Sequence, residues 1–256
     1  MVCLLWYRLL STDVILPARS HRCMKNQYFG DVNDYQKYGL LRLLAEGGRR
    51  GILVCWMLTS DDSGSDGRRL SYLENPGTWR SFDPQLFDSL RRAVGTGDRR
   101  LEVVREKNLI PGGMYFEKPL RGNSRGEYFK ELHQQCRSAE LIFFDPDNGM
   151  QVPSVPTRSP KADKYLFWEE AKDLFTSGRS LLVYQHFPRV NRRRYIREMS
   201  RRFSINVGAP RIVTFRTSSV VYFLCINSAQ VEAYRRIADK VSRRWGNKFI
   251  ISRYPS

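Results

Sequence analysis

The stretch from Leu141 to Met150, LIFFDPDNGM, constrains the fold more than any other part of the chain. A short apolar run bounded by turn signals is typical of a strand buried on both faces of a parallel sheet. In open α/β sheets the ligand crevice lies outside the carboxyl ends of the strands. The carboxylates that follow the run, Asp145 and Asp147, are therefore expected to face such a crevice rather than the core.

Segments with strand and helix patterns alternate along the rest of the chain. Helices are predicted from Asp31 (with Asp31 or Asn33 as the cap) to Gly47, and over 84–94, 126–137, 167–176, 191–202 and 228–245. Strands are predicted over 51–59, 101–106, 113–117, 141–144, 180–187, 211–216 and 219–227, with Thr217 and Ser218 as a hairpin turn. This order predicts an α/β protein with a doubly wound, mostly parallel sheet and a C-terminal antiparallel hairpin.

We expect one domain over 24–256, with an insertion at about 60–100 and a loop over 151–164. The apolar start of the chain is interrupted by Arg8, and no run there approaches the length of a membrane span. Met24 opens a sequence that reads like a protein start. Residues 1–23 are therefore expected to be a disordered extension or a mis-assigned start.

The charge balance predicts an anionic partner. There are 43 Lys and Arg residues against 26 Asp and Glu, which leaves a net charge of +17. Such a field attracts polyanions, so nucleic acid is the predicted partner, with a generally basic surface as the alternative. The arginines after Pro188 suit phosphate through the bidentate guanidinium fork, although a solvated face is the usual meaning of a charge run. The predicted nucleic-acid-binding residues are His186, Arg189, Arg192, Arg193, Arg194 and Arg197.

The five cysteines form no Cys-x-x-Cys pair. They indicate neither a disulfide framework nor a zinc motif, and a reducing cytoplasm fits them best. No membrane partner is predicted.

The order of these motifs resembles that of the Rossmann-type nucleic-acid methyltransferases, most closely the bacterial large-subunit ribosomal RNA adenine methyltransferase J group. The resemblance covers roughly Tyr28 to Val241. It rests on GDVNDYQKYGLL, on the strand that follows, on Asp145-Pro146-Asp147-Asn148 in the place of an Asp-Pro-Pro-Tyr motif, and on YQHFPRVNRRRYIREM. The chain departs from the family in the turn after Thr59, where the glycine spacing differs, and at Asn148, where the family has an aromatic residue.

The resemblance implies a bacterial or phage enzyme that methylates an exocyclic base amine with S-adenosylmethionine. The catalytic residues would be Asp145, Pro146, Asp147 and Asn148, because Asp145 and the Pro146 carbonyl could accept the amino hydrogens and orient the nitrogen. The cofactor-binding residues would be Tyr28, Lys37, Thr59, Asp61 and Asp62. A flipped base could stack on Tyr28, Phe29, Tyr184 or Phe187, for each of which core packing is the common alternative.

The same carboxylates allow a second interpretation. Asp61, Asp62 and Asp66 follow one predicted strand, and Asp145 and Asp147 follow another. Oxygen ligands favour Mg²⁺ or Mn²⁺, so Asp62, Asp145 and Asp147 could hold a metal, with His186 or Lys37 nearby, for phosphodiester hydrolysis. These aspartates could also simply form caps and turns. A catalytically inactive nucleic-acid-binding module is the third possibility, and the sequence gives no oligomeric state.

Overall fold

A seven-stranded mixed sheet runs through the residues that the computed structural model describes, which are 26, 28–46, 51–59 and 69–255. Its strands are β1 (Ile52–Cys55), β2 (Met114–Phe116), β3 (Leu141–Phe144), β4 (Ser180–His186), β5 (Arg211–Arg216), β6 (Val220–Ile226) and β7 (Ile250–Tyr254), in the order β2-β1-β3-β4-β6-β5-β7. The first four strands are mutually parallel, and β6, β5 and β7 add to β4 through antiparallel pairings. The predictions for 1–23, Gly47, Asp61, Asp62 and Asp66 lie outside the described residues.

Helices cover both faces of this sheet. They are α1 (Val32–Ala45), α2 (Pro76–Trp79), α3 (Pro84–Gly95), α4 (Val103–Glu106), α5 (Arg125–Gln135), α6 (Trp168–Thr176), α7 (Arg192–Val207), α8 (Val231–Tyr234) and α9 (Ile237–Trp245). Alternate residues of β1 enter two separate cores: Ile52 and Val54 pack with α1, α3 and α9, whereas Leu53 and Cys55 pack with α5, α6 and α7. No helix in the described parts of the chain is long and apolar enough to cross a membrane.

Most of the predicted elements are confirmed. Asp31 is the N-cap of α1, and its Oδ1 accepts hydrogen bonds from the backbone N–H groups of Asn33 at 2.8 Å and Asp34 at 3.0 Å. This satisfies donors that the first helical turn leaves without an intrahelical partner. The parallel strands and the hairpin of β5 and β6 are also present. The α/β class is therefore confirmed, in a sheet whose antiparallel part is larger than predicted.

Two predicted elements are wrong, and one strand was not predicted. The segment 101–106 is not a strand, because Val103 and Val104 are both buried and form part of the one-turn helix α4. The predicted helix over 228–245 is interrupted between α8 and α9. The edge strand β7 was missed, because its side chains are partly or fully exposed and give no apolar run.

Helices α1 and α9 meet at a glycine. A Cβ on Gly39, in the middle of α1, would lie 1.9 Å from a ring carbon of the fully buried Trp245 in α9. Nearby, Gln36 Nε2 donates to the carbonyl of Lys248 at 3.4 Å, across 212 positions of sequence. The glycine therefore allows the close approach of α1 to the C-terminal segment.

We predict that Gly39→Ala destabilises the protein by about 1–3 kcal/mol, because the overpacking of Trp245 outweighs the gain in helix propensity. Gly126→Ala in α5 is the matched control, since nothing lies within 4 Å of its added Cβ. The control should be neutral or stabilising by up to about 1 kcal/mol. Chemical denaturation of both variants measures this, and equal effects would contradict the packing argument.

Candidate functional site

A buried cluster of charged groups joins α1 to the carboxyl end of β3. Lys37 Nζ donates to Asp34 Oδ1 at 2.9 Å and to Asp145 Oδ2 at 3.1 Å. Asp145 follows β3 directly, and its backbone N–H donates to the carbonyl of Cys55 at the end of β1. The structure therefore brings together Lys37 and Asp145, two residues that the resemblance singled out and that lie 108 positions apart.

Asp34 is the member of this cluster that the sequence analysis missed. Its Oδ2 accepts a hydrogen bond from the Tyr38 hydroxyl at 2.9 Å and one from the Gly30 N–H at 3.2 Å. The sequence feature that could have identified Asp34 is its spacing to Lys37 and Tyr38, since residues three and four apart lie on one face of a helix. We call Asp34, Lys37, Tyr38 and Asp145 the lysine cluster.

The lysine cluster holds a charged ammonium in the interior. Only 7% of Lys37 and 2% of Asp145 is exposed. Burial by itself would lower the pKa of Lys37, but the carboxylates of Asp145 and Asp34 outweigh it and hold this pKa well above its ordinary value. The ammonium also lies 5.0 Å from the centre of the Tyr184 ring, where the ring face attracts a cation.

The cap residue of α1 is affected by the same burial. Desolvation, and then the negative charge of Asp34, raise the pKa of Asp31 from its ordinary 3.8 to about 6, against the cap hydrogen bonds and the charge of Lys37. Burial therefore places the pKa of the α1 cap residue, Asp31, at about 6.

A cleft of about 320 Å³ opens at the carboxyl ends of β3 and β4, on the α7 side of the sheet. We call it the edge cleft. Its lining residues are Asp147, Asn148, Met150, Gln151, Val152, Tyr165, Gln185, His186, Phe187, Pro188, Tyr195, Met199 and Arg202. Thr59 follows β1, and its hydroxyl donates a hydrogen bond to Asp147 Oδ2 at 2.5 Å. The carboxyl end of β1 is therefore joined to this cleft, in addition to those of β3 and β4.

The floor of the edge cleft is set by the turn at Gly149. This glycine has a φ of +84°, and a Cβ there would lie 2.1 Å from Gln185 Oε1. The same oxygen accepts a hydrogen bond from the Met150 N–H at 2.8 Å. The Asn-Gly turn therefore allows the Gln185 amide at the end of β4 to pack directly against the chain that leaves β3.

The predicted loop over 151–164 is confirmed as a series of turns that ends in a short 3-10 helix, Ala162–Lys164, and its first two residues, Gln151 and Val152, form part of the wall of the cleft. Arg125 holds the end of this loop. Its guanidinium contacts both carboxylate oxygens of Glu170, at 2.6 and 2.8 Å, and donates to the carbonyls of Ala162 and Tyr165. The planar guanidinium thus makes hydrogen bonds to a carboxylate and to two backbone carbonyls at once, which a lysine could not do.

The structure separates the predicted catalytic residues into two layers. Asp147, which is half-buried, and Asn148, which is exposed, line the edge cleft, whereas Asp145 and Pro146 are buried beneath it. Among the aromatic residues considered for stacking, Phe187 lines the cleft, and Phe29 and Tyr184 are core residues. Two aromatic lining residues were missed, Tyr165 and Tyr195.

The other predicted site residues differ in how far they are exposed. Tyr28 is half-buried, and Thr59 is buried against Asp147. The ammonium of Lys37 is bound by carboxylates of its own chain, so its predicted contact with a cofactor carboxylate or a phosphate stays a prediction. His186 lines the edge cleft, and the arginines of the predicted nucleic-acid surface are exposed before α7 and on its first turns: Arg189, Arg192, Arg193, Arg194 and Arg197.

Within 28–46, 51–59 and 69–255, no group of three or more His, Cys, Asp or Glu residues is arranged to hold a metal ion. Asp62, the third ligand of the predicted Mg²⁺ or Mn²⁺ site, lies outside these ranges. The metal site therefore stays a prediction.

Comparison with known proteins identifies no relative. No protein-family model, no curated protein and no solved structure matches the chain.

We predict that Lys37→Met lowers the free energy of unfolding by about 3–5 kcal/mol, because it leaves two buried carboxylates without their cation. Lys240→Met is the matched control. The Lys240–Glu46 contact is shorter, at 2.6 Å, but these side chains are 37% and 60% exposed. Its loss should cost less than about 1 kcal/mol. Urea denaturation compares the two variants, and similar losses would show that burial does not decide the strength of the lysine cluster.

A second prediction concerns pH. Because folding raises the pKa of Asp31 to about 6, the folded protein holds this proton more tightly than the unfolded chain does. The stabilisation from Asp31 is therefore complete below about pH 4 and is lost as the pH rises through about 6. Asn caps helices as well as Asp but does not titrate. The free energy of unfolding of Asp31→Asn, minus that of the wild type, should increase between pH 4 and pH 7, and a constant difference would contradict the assignment.

Proposed function

We propose that this chain is a methyltransferase that acts on the exocyclic amine of a nucleic-acid base. The observation that carries the proposal is the edge cleft, in which hydrogen-bond acceptors at the end of β3 face aromatic walls, beside an arginine-rich helix. A volume of 320 Å³ is within the range of small-ligand pockets and suits one flipped base.

The acceptors would orient the amine. In this proposal the carboxylate of Asp147 and the side-chain oxygen of Asn148 accept the two amino hydrogens and direct the nitrogen lone pair. The methyl group would come from S-adenosylmethionine, which would leave as the neutral thioether, and the methylated amine would release one proton to solvent. Asp145 acts as a positioning residue, because its carboxylate is bound by Lys37 beneath the turn that presents Asp147.

The walls would hold the base. The Phe187 and Tyr195 rings lie 6.0 Å apart, and the Arg192 guanidinium lies 5.1 Å from the centre of the Phe187 ring. Stacking on an aromatic face contributes about 1–3 kcal/mol per base. Phe187 would therefore supply the aromatic stacking surface for the base. In the family that the sequence resembles, this surface belongs to the aromatic residue at the position of Asn148.

The fold is consistent with this proposal. The antiparallel strand β6 lies between β4 and β5, as expected for the hairpin of a methyltransferase-like Rossmann sheet. S-adenosylmethionine would supply an activated methyl group, and Tyr28, Lys37 and Thr59 are the described residues that we expect to contact it.

Calorimetry with S-adenosylmethionine, followed by transfer of a labelled methyl group to RNA and to DNA, tests the proposal. Asp147→Asn should lower the transfer rate by about 100-fold, because it changes an acceptor that orients the amine. Asp173→Asn makes the same chemical change on the exposed surface of α6 and should leave the rate unchanged.

Two other results would replace the proposal. Degradation of nucleic acid that requires Mg²⁺ or Mn²⁺, without cofactor binding, would indicate the nuclease. Binding of nucleic acid without any reaction would indicate the inactive module.

A further inference from the structure

A second cavity, of about 470 Å³, lies on the other side of α7 from the edge cleft, between this helix and strands β5 and β7. We call it the arginine groove. Its lining residues are Arg193, Ile196, Arg197, Ser200, Thr214, Arg216, Ile250, Ser252, Arg253 and Tyr254. None of the described residues that line it is acidic.

Helix α7 separates the two cavities. Tyr195, Met199 and Arg202 line the edge cleft, at the spacing of one helix face. The residues of α7 that line the groove alternate with these at the same spacing and belong to the opposite side. The helix is therefore a ridge, and a chain bound in the cleft can continue across its first turn into the groove.

The charge of the groove is concentrated over an apolar floor. Arg193, Arg197 and Arg216 lie around Ile196, Tyr254 and Ile250, of which the last is 54% exposed. Arg253 borders the groove, but it pairs in register with Val213 and contacts Asp239 of α9 at 3.5 Å, so its guanidinium lies on the other face of the sheet. The other three arginines therefore concentrate positive charge around this floor.

The pairing of the strands gives the distance between the two cavities. Gln185 of the edge cleft pairs with Val221, and Val221 pairs with Arg216. At a strand spacing of about 4.8 Å, the backbones at Gln185 and Arg216 lie about 10 Å apart. Successive phosphates of one duplex strand are separated by about 3.4 Å along the axis. A span of a few nucleotides therefore connects the cleft to the groove.

We infer that the arginine groove binds the phosphate backbone of the nucleic acid whose base enters the edge cleft. This inference rests on the proposed function, because the occupant of the cleft defines the partner. It adds Arg216, on β5, to a surface that the sequence analysis placed at the end of β4 and on α7. Arginine suits this role because its planar fork makes two hydrogen bonds to one phosphate.

The experiment measures nucleic-acid binding by fluorescence anisotropy over a range of salt concentrations, without a methyl donor. The test variant is Arg193→Gln/Arg216→Gln, which removes one arginine from each side of the groove. The control is Arg137→Gln/Arg211→Gln, which removes the same charge from exposed positions at the amino ends of β3 and β5. A thermal melt confirms that each variant is folded, and Arg193→Lys/Arg216→Lys restores the charge without the fork.

If the groove holds two phosphates through these residues, the slope of log affinity against log salt should become shallower by about 1.8 on duplex DNA, or by about 1.4 on a single strand. The control should keep the wild-type slope, and the lysine variant should recover most of it. Equal slopes for the test and control variants would overturn the groove and leave the methyltransferase proposal intact. A shallower slope without methyl transfer would support the groove and remove the proposed reaction, and a wild-type protein that binds no nucleic acid would overturn both.

Discussion

The buried contact between Lys37 and the carboxylates of Asp34 and Asp145 is the interaction on which the arrangement of the site depends. Removing three charges from water is unfavourable unless each is closely paired. Here one cation serves two anions, and the Tyr38 hydroxyl and the Gly30 N–H share the remaining negative charge on Asp34. Helix α1 can therefore dock on the sheet only in the position that brings its lysine to the end of β3. This docking therefore also fixes the position of the turn that carries Asp147.

This constraint also explains which roles the residues after β3 can take. Asp145 is committed to the interior, whereas Asp147 and Asn148 face the edge cleft. The two carboxylates of one short turn thus differ in environment, because one has an internal cation and the other has a hydroxyl partner, Thr59, beside the cleft. The aromatic surface comes from the neighbouring strand end and from α7 instead of from the turn itself.

The sequence was sufficient to predict the elements with strong local signals. The apolar runs of β1, β3 and β4 and the cap of α1 depend on neighbouring residues, and these predictions are confirmed. Strand β7 could not be predicted, because its stability comes from pairing with β5 and not from its own side chains. The prediction of a strand over 101–106 was wrong because two adjacent valines fit a strand as well as a buried helical turn. Asp34 was missed although its spacing to Lys37 and Tyr38 is local, because the burial of Lys37 between two carboxylates depends on Asp145, a residue distant in the sequence.

The contact between Gly39 and Trp245 has a consequence for the order in which the molecule folds. Lys37 lies on a helix whose other side is covered by α9, a helix distant in the sequence. A folding chain that has formed the sheet but has not yet docked α9 would leave this side of α1 open to water. Since contacts between distant parts of a chain form slowly, the docking of Trp245 on Gly39 is expected to be a late step of folding.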